Sequence, residues 1–540
     1  MRVVVNLTRC QGYAQCAFLA PEVFRMHGNE ALLYDAEPDE AFRAHVQQAA
    51  AACPVQAILV DRLGAREAAR PVTAGEGPGR LDAGLEALRR DGRIVIVGAS
   101  LAGTRAAAVL RRDGFRGRLT LIGDEPFGPY DRPPLSKQVL DGWLPADGTE
   151  LPRREQLDAE WMLGTPATGL ERAARRVRLA DGRAVDYDRL LIATGARARP
   201  WPDAGEAALD GVFVLRGRDD AAALRRRLDA RPDRVLVIGA GFTGSEVASV
   251  CRERGLAVTV AERGETPLVG ALGAVVGAVA ADLQRSHGVD LRCGVTVSAL
   301  EGDGRGRLRR AHLSDGTTVD ADVAVVALGA VRNTEWLYDS GLAVAAWGVG
   351  CDAGCRAFDV NGLVTDDVFV AGDVARFPHP LYDYEFLALE HWGNAVTQAE
   401  VAAHNMISAA PERWPHLATP VFWSSQFGVN IKSVGVPTYA DEVLIAQGDP
   451  ERRRFVAVYG KEGRITAAVA FDQGRWLEHY QRLIERSAPF PPDARAVDPP
   501  ADRRAVPPGV PDRGTRELEA TVMVTGHAPS ERRAELVHHH

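Results

Sequence analysis

The chain has 540 residues, 46% apolar and 25% charged, with a formal net charge of −8 at pH 7. That length exceeds a single hydrophobic core and implies several domains of ordinary globular composition. The acidic balance excludes a non-specific nucleic-acid binder, no apolar run of about eighteen residues offers a membrane span, and no charged stretch leading into an apolar one marks a secretory leader, so a cytoplasmic protein is expected.

Residues 1–68 read as one small unit. "MRVVVNLT" and "QAILVDR" are short strands, and "PDEAFRAHVQQAAAAC" is a helix with Asp39 near its start. The stretch "RCQGYAQC" puts Cys10 and Cys16 six positions apart with Tyr13 midway, and Cys53 precedes Pro54. Soft thiolates suit an iron–sulfur cluster, a Cys-Pro pair commonly closes a cluster ligand set, and Gly12 lets backbone amides turn toward the sulfides. The competing reading is three buried structural cysteines. Residues 69–91, rich in Gly, Pro and Ala, read as a linker.

From residue 92 the pattern changes. "RIVIVGASLAGTRAAAVLRRDG" is a buried strand, a tight turn and an Ala-rich helix, and "RVLVIGAGFTGSEVASVCRERG" repeats it. Each is followed by a strand ending in an acid, Asp124 and Glu262, so the chain carries two dinucleotide-binding halves. Residues 412–487 alternate as an antiparallel sheet with one helix, "WLEHYQRLIER". Beyond 488 the chain is Pro-rich and charged and reads as disordered. The expected order is a cysteine-bearing unit (1–68), linker (69–91), first dinucleotide-binding part (92–211), second dinucleotide-binding part (212–335), a further part (336–411), C-terminal domain (412–487) and tail (488–540). The terminal histidines are set aside as a tag remnant.

Gly239, Gly241 and Gly244 form a full G-x-G-x-x-G between strand and helix. The glycines allow the turn, close approach to a pyrophosphate, and helix–strand contact. Glu262 can accept from both ribose hydroxyls and repels a 2′-phosphate, which favours NADH over NADPH; Arg263 beside it is read as a surface charge. The first motif, "GASLAG", keeps Gly98 and Gly103 but has Ser100 at its middle glycine. Cys251, Cys293, Cys351 and Cys355 read as core or loop residues.

"RPPLSK", "ATGARARP", "GFTGSEVAS", "FVAGDVARF" and "FWSSQF" together resemble the NADH-dependent ferredoxin reductases of bacterial oxygenase systems, over residues 92–487. The first 65 residues resemble single-cluster bacterial ferredoxins. The implied fold is α/β: a small α+β ferredoxin domain, then a glutathione-reductase-like flavoprotein with two dinucleotide-binding domains and a C-terminal α+β domain. By this resemblance Ala102 and Gly103 line the FAD pyrophosphate, Asp124 takes the adenosine ribose, Lys137 lies under the flavin paired with Glu246, Arg216 reaches FAD, Asp373 binds the ribityl chain, and Trp392 meets the isoalloxazine. The resemblance also assigns Gly98, Ser100, Arg132, Ala167, Thr194, Gly195, Gly329, Gly372 and Glu390 to the cofactor sites. The chain departs from the family at Arg332, where a proline is usual, and at Ser424–Ser425–Gln426, where "SDQ" is common. A non-cysteine at Tyr13 goes with a [3Fe–4S] cluster on Cys10, Cys16 and Cys53; [4Fe–4S] is the alternative.

No cysteine pair stands in "PYDRPPLSKQVL", so electrons cannot be relayed by a dithiol there. The expected activity is an FAD-dependent NAD(P)H:ferredoxin oxidoreductase that splits hydride electrons into single ones for its own ferredoxin; the resemblance implies a cytochrome P-450 monooxygenase as final acceptor, with a Rieske-type oxygenase as the alternative. Residues 1–61 set four arginines against seven carboxylates, a balance of −3 that would steer a basic acceptor. The competing readings are an NADH oxidase or quinone reductase with a dispensable cluster, and a redox sensor acting through the tail.

Overall fold

The computed structural model describes residues 3–5, 15–27, 31–34, 38–52, 58–60, 78–151, 157–493, 504–505, 520–525 and 533–538. In the head, β1 (Val3–Val5) pairs antiparallel with β4 (Ile58–Val60), and β2 (Phe24–His27) pairs with β3 (Ala31–Tyr34). Two helices, α1 (Gln15–Leu19) and α2 (Arg43–Ala52), complete it. The Asp39 carboxylate accepts from the Ala41 amide and starts the turn leading into α2. Val3, Cys16, Ala20, Phe24, Val46 and Ile58 share one small core.

The stretch read as linker contains a helix, α3 (Pro78–Asp91). Leu81, Leu85 and Leu88 recur at helical spacing, a signal masked by the surrounding Gly and Pro. Arg89 donates to the Ile407 carbonyl at 2.8 Å and its own carbonyl accepts from Arg116 and Gly117, which docks α3 on the first dinucleotide unit.

That unit is a six-stranded sheet. Its parallel strands β5 (Arg93–Val97), β6 (Arg118–Ile122), Glu160–Met162, Arg189–Ile192 and Val364–Val370 are joined by the antiparallel edge strand Arg356–Phe358. The second unit is a five-stranded parallel sheet ordered Val212–Val214, Val323–Val326, Arg234–Ile238, Ala257–Glu262, Asp290–Cys293. All four residues of Val323–Val326 are buried, as a parallel strand covered on both faces requires. The crossings between the units run side by side, with Ala196–Ala198 paired antiparallel to Ala330–Arg332. The third unit is an antiparallel sheet from Val421 to Phe471 that packs on the helix Leu477–Glu485.

The expectation of disorder after residue 488 is corrected where residues are described. Phe490 packs against the core of the third unit, and Arg504–Ala505 hydrogen-bonds to the otherwise open edge of Glu442–Asp449. Ala520–Thr525 pairs with Arg533–His538, so His538, set aside as a tag remnant, ends a strand. β-Branched alternation in "ATVMVT" supplies the strand propensity.

Candidate functional site: two dinucleotide turns meeting at an interdomain ion pair

Both turns follow from strand, glycine and helix in the same order. Gly98 has φ +119° and a Cβ there would meet the Ala193 carbonyl at 2.0 Å; at Gly103 it would meet the Gly98 carbonyl at 1.9 Å. The second turn repeats this, with Gly239 at φ +98° against Ala327 (2.5 Å) and Gly244 against Gly239 (2.0 Å). Space is open at Gly241. The helices that follow, α4 (Leu101–Arg112) and Phe242–Glu253, have no side-chain cap, which leaves their first amides aimed at the turn. Ala102 is buried in the first turn of α4. Ser100 does not cap α4; its hydroxyl instead accepts from Arg132 at 2.5 Å. Arg132 also pairs with Glu125 at 3.1 Å, while Asp124 stays exposed beyond β6.

Glu262 ends its strand beside the second turn. Its two carboxylate oxygens accept from the Ala240 and Gly264 amides at 2.6 Å each, which fixes the acid at the mouth of the turn. Arg263 is exposed.

Lys137 and Glu246 come from different units and meet at 2.7 Å. Glu246, 6% exposed, also accepts from Ser136 (2.5 Å) and from Ser424 of the third unit (2.6 Å). A buried carboxylate needs such partners, and here the first and third units supply them to an acid of the second.

A second cluster stands on the domain crossings. Arg216 pairs with Asp373 at 2.5 Å; burial opposes its charge, but Asp373 and Glu390 outweigh that and hold its pKa above the usual arginine value. Arg332 pairs with Glu390 at 3.1 Å and donates to the Asp373 carbonyl. Thr194 and Asn333 exchange hydrogen bonds at 2.8 and 2.9 Å. Gly195, Gly329 and Gly372 all take positive φ, and at Gly195 and Gly329 the space is open. Trp392 donates to Asp131 at 2.9 Å and meets Trp423 edge-on. Ala167 opens the strand Ala167–Glu171 and packs against the core that holds Val97 and Ile122. A cavity of about 380 Å³ lies between the units, lined by Phe242, Arg332, Glu390, His391 and Phe422 among others.

Of the predicted cluster ligands, Cys16 is buried in α1, while Cys10 and Cys53 lie outside the described residues. Cys251, Cys351 and Cys355 are fully buried. Burial pushes the Cys251 thiol up to about 12, and those of Cys293, Cys351 and Cys355 also rise.

Residues 92–399 match the family described as pyridine nucleotide-disulphide oxidoreductase. The chain belongs to that family. Residues 421–506 match the reductase C-terminal family and residues 3–60 a 4Fe-4S single cluster domain. The ferredoxin–NAD(+) reductase component of the anthranilate 1,2-dioxygenase system of Burkholderia cepacia is 36% identical over 415 residues, 75% of this chain and 97% of that one. Rhodocoxin reductase of Rhodococcus erythropolis is 36% identical over 355 residues, 65% and 80% of the two chains. Among solved structures, the covalent putidaredoxin reductase–putidaredoxin complex matches with TM-score 0.69 and 30% identity, covering 74% of this chain and 94% of that one.

The chain is therefore an oxidoreductase with an N-terminal ferredoxin-like domain, of a family that binds FAD and NAD(H). Its residues fit such dinucleotides: each turn ends on uncapped helix amides, and Gly241 leaves room for a phosphate where any side chain would intrude. Sequence reasoning missed Ser136 and Ser424 as partners of Glu246 and Arg332 as the partner of Glu390. The departures noted at "RNT" and "FWSSQF" were the available signal. No helix among the described residues is long and apolar enough to cross a membrane.

Proposed function

We propose that this chain is an NADH-dependent ferredoxin reductase carrying its own ferredoxin, which delivers single electrons to an oxygenase. The observation that carries the reading is the Lys137–Glu246 contact, 2.7 Å long, which joins the two dinucleotide units. FAD, when bound, supplies the conversion between hydride and single electrons. Glu246 orients the Lys137 ammonium, and Ser136 and Ser424 satisfy the carboxylate. With FAD bound, Lys137 would present a fixed positive charge to the ring and favour its reduced state. Gly98, Ala102, Gly103, Ser100 with Arg132, and Asp124 hold the FAD diphosphate and adenosine end. Ala167, Thr194, Gly195, Arg216, Gly372, Asp373, Glu390 and Trp392 hold the remainder. Gly239, Gly241, Gly244, Glu262 and Gly329 hold NADH, with NADPH disfavoured by Glu262.

Cys10, Cys16 and Cys53 would ligate the cluster. Tyr13 at the variable position supports [3Fe–4S] over [4Fe–4S], and electron paramagnetic resonance of the purified protein decides, because an oxidised three-iron cluster is paramagnetic. The terminal acceptor is read as a cytochrome P-450 monooxygenase; dioxygenase systems use several of the relatives. The deciding experiment deletes residues 1–68. Stand-alone relatives such as the anthranilate system reductase match along 97% of their own length, so the truncated chain corresponds to a complete reductase. NADH–ferricyanide activity is expected to persist and cytochrome c reduction to vanish. Full cytochrome c reduction by the truncated chain would point to a flavin oxidase or quinone reductase instead.

A further inference from the structure

The hairpin between Ala375–Pro378 and Phe386–Leu387 has a strained tip. Asp383 (φ +52°) and Tyr384 (φ +60°) are consecutive non-glycine residues in the left-handed region. Such backbone persists only where its surroundings over-determine it, and it gathers at functional segments. Here the third unit supplies the restraint. The Asp383 carboxylate accepts from Arg464 at 2.7 Å and from the Tyr439 hydroxyl. Lys461 lies 3.6 Å from Glu385 and stands over the Tyr439 ring. The Tyr382 hydroxyl donates to the Thr466 carbonyl at 3.3 Å, and its ring meets Tyr439 edge-on. Neither dinucleotide turn uses these contacts.

The tip has a neighbour. Helix α1, which carries Cys16, lies against the turn Pro380–Tyr382. Tyr384, two residues past that turn, is half-buried at the tip. From the tip the chain runs through Phe386 directly into the interdomain cavity, which Leu387, Ala388, Leu389, Glu390 and His391 line. One short segment therefore touches the head at one end and the cavity at the other.

We propose that residues 380–385 form the docking platform on which the head receives electrons, with Tyr384 as its contact residue and residues 386–391 as the route from the cavity. The inference rests on the function proposed above. Each passage moves one electron and no atom. NADH oxidised to NAD⁺ yields two electrons and one proton, so two passages consume one NADH and the proton goes to solvent.

The test uses the full chain loaded with FAD and cluster. Tyr384→Asn removes the ring while asparagine accepts left-handed backbone, and Tyr384→Gly removes ring and strain together. Hydrogen exchange of residues 15–27 should quicken at least about tenfold in both, and cytochrome c reduction should fall about tenfold. Ferricyanide reduction, taken from the flavin itself, should stay within about twofold, and Tyr384→Phe should behave as the parent. Unchanged exchange and unchanged cytochrome c reduction in both variants overturn the platform, provided deletion of residues 1–68 abolishes that reduction. If the deletion leaves it intact, the underlying function falls instead.

Discussion

At Lys137 the geometry asks for one role. Its ammonium has the Glu246 carboxylate at 2.7 Å and the Pro133 carbonyl at 3.2 Å, so it is held rather than swinging. Lys137→Ala should slow flavin reduction at saturating NADH by about a hundredfold, the scale of losing one preorganised charge-stabilising donor. The Kd for NADH should move little, and stopped-flow bleaching reads both. Gly239→Ala tests the second turn: its Cβ would press on the Ala327 carbonyl at 2.5 Å in left-handed backbone. KM for NADH should rise at least about tenfold with FAD content unchanged, as read by steady-state kinetics and flavin absorbance. The glycine turns were legible in the sequence because their chemistry is local, six residues that run from the end of a strand into the first turn of a helix. Ser424 was not. Its hydroxyl reaches Glu246 across 178 positions, and nothing in "FWSSQF" says which carboxylate it will meet. Arg332 was legible only as a departure; its partner Glu390 lies in the segment between the strand Phe386–Leu387 and the helix Trp392–Met406.

The elements repeat the lesson at a larger size. Strands followed by Ala-rich helices declared themselves by period, and the two parallel sheets follow from them. Helix α3 did not, because the Gly and Pro around it carry the composition of a linker and mask the helical spacing of its leucines. The hairpin that ends in Asp383 and Tyr384 has a measurable acid response. His379 at its base and His416 packed nearby are fully buried, and burial lowers their pKa from 6.5 to about 4 and about 3. The unfolded chain binds protons at these rings below pH 6.5 while the folded chain stays neutral. Stability is therefore whole above pH 6.5 and drains as pH falls toward 4. Calorimetry should show Tm dropping over that window, and His379→Asn should flatten the slope.

At the scale of the whole molecule, three units converge on one carboxylate, and a small acidic domain rides ahead of them. The balance of −3 over residues 1–61 predicts that delivery to a basic acceptor weakens with ionic strength. Cytochrome c reduction should fall several-fold between 20 and 300 mM salt, as the Debye length shortens from roughly 20 Å to roughly 6 Å, while ferricyanide reduction should not follow it. Helix α3 fixes where the leash is tied. With β4 ending at Val60 and α3 beginning at Pro78, the intervening residues span at most about 60 Å when drawn straight. On the function proposed above, the head serves the body it is joined to, so turnover per molecule should hold constant on dilution, whereas a paired system, which must find its mate by diffusion, would slow.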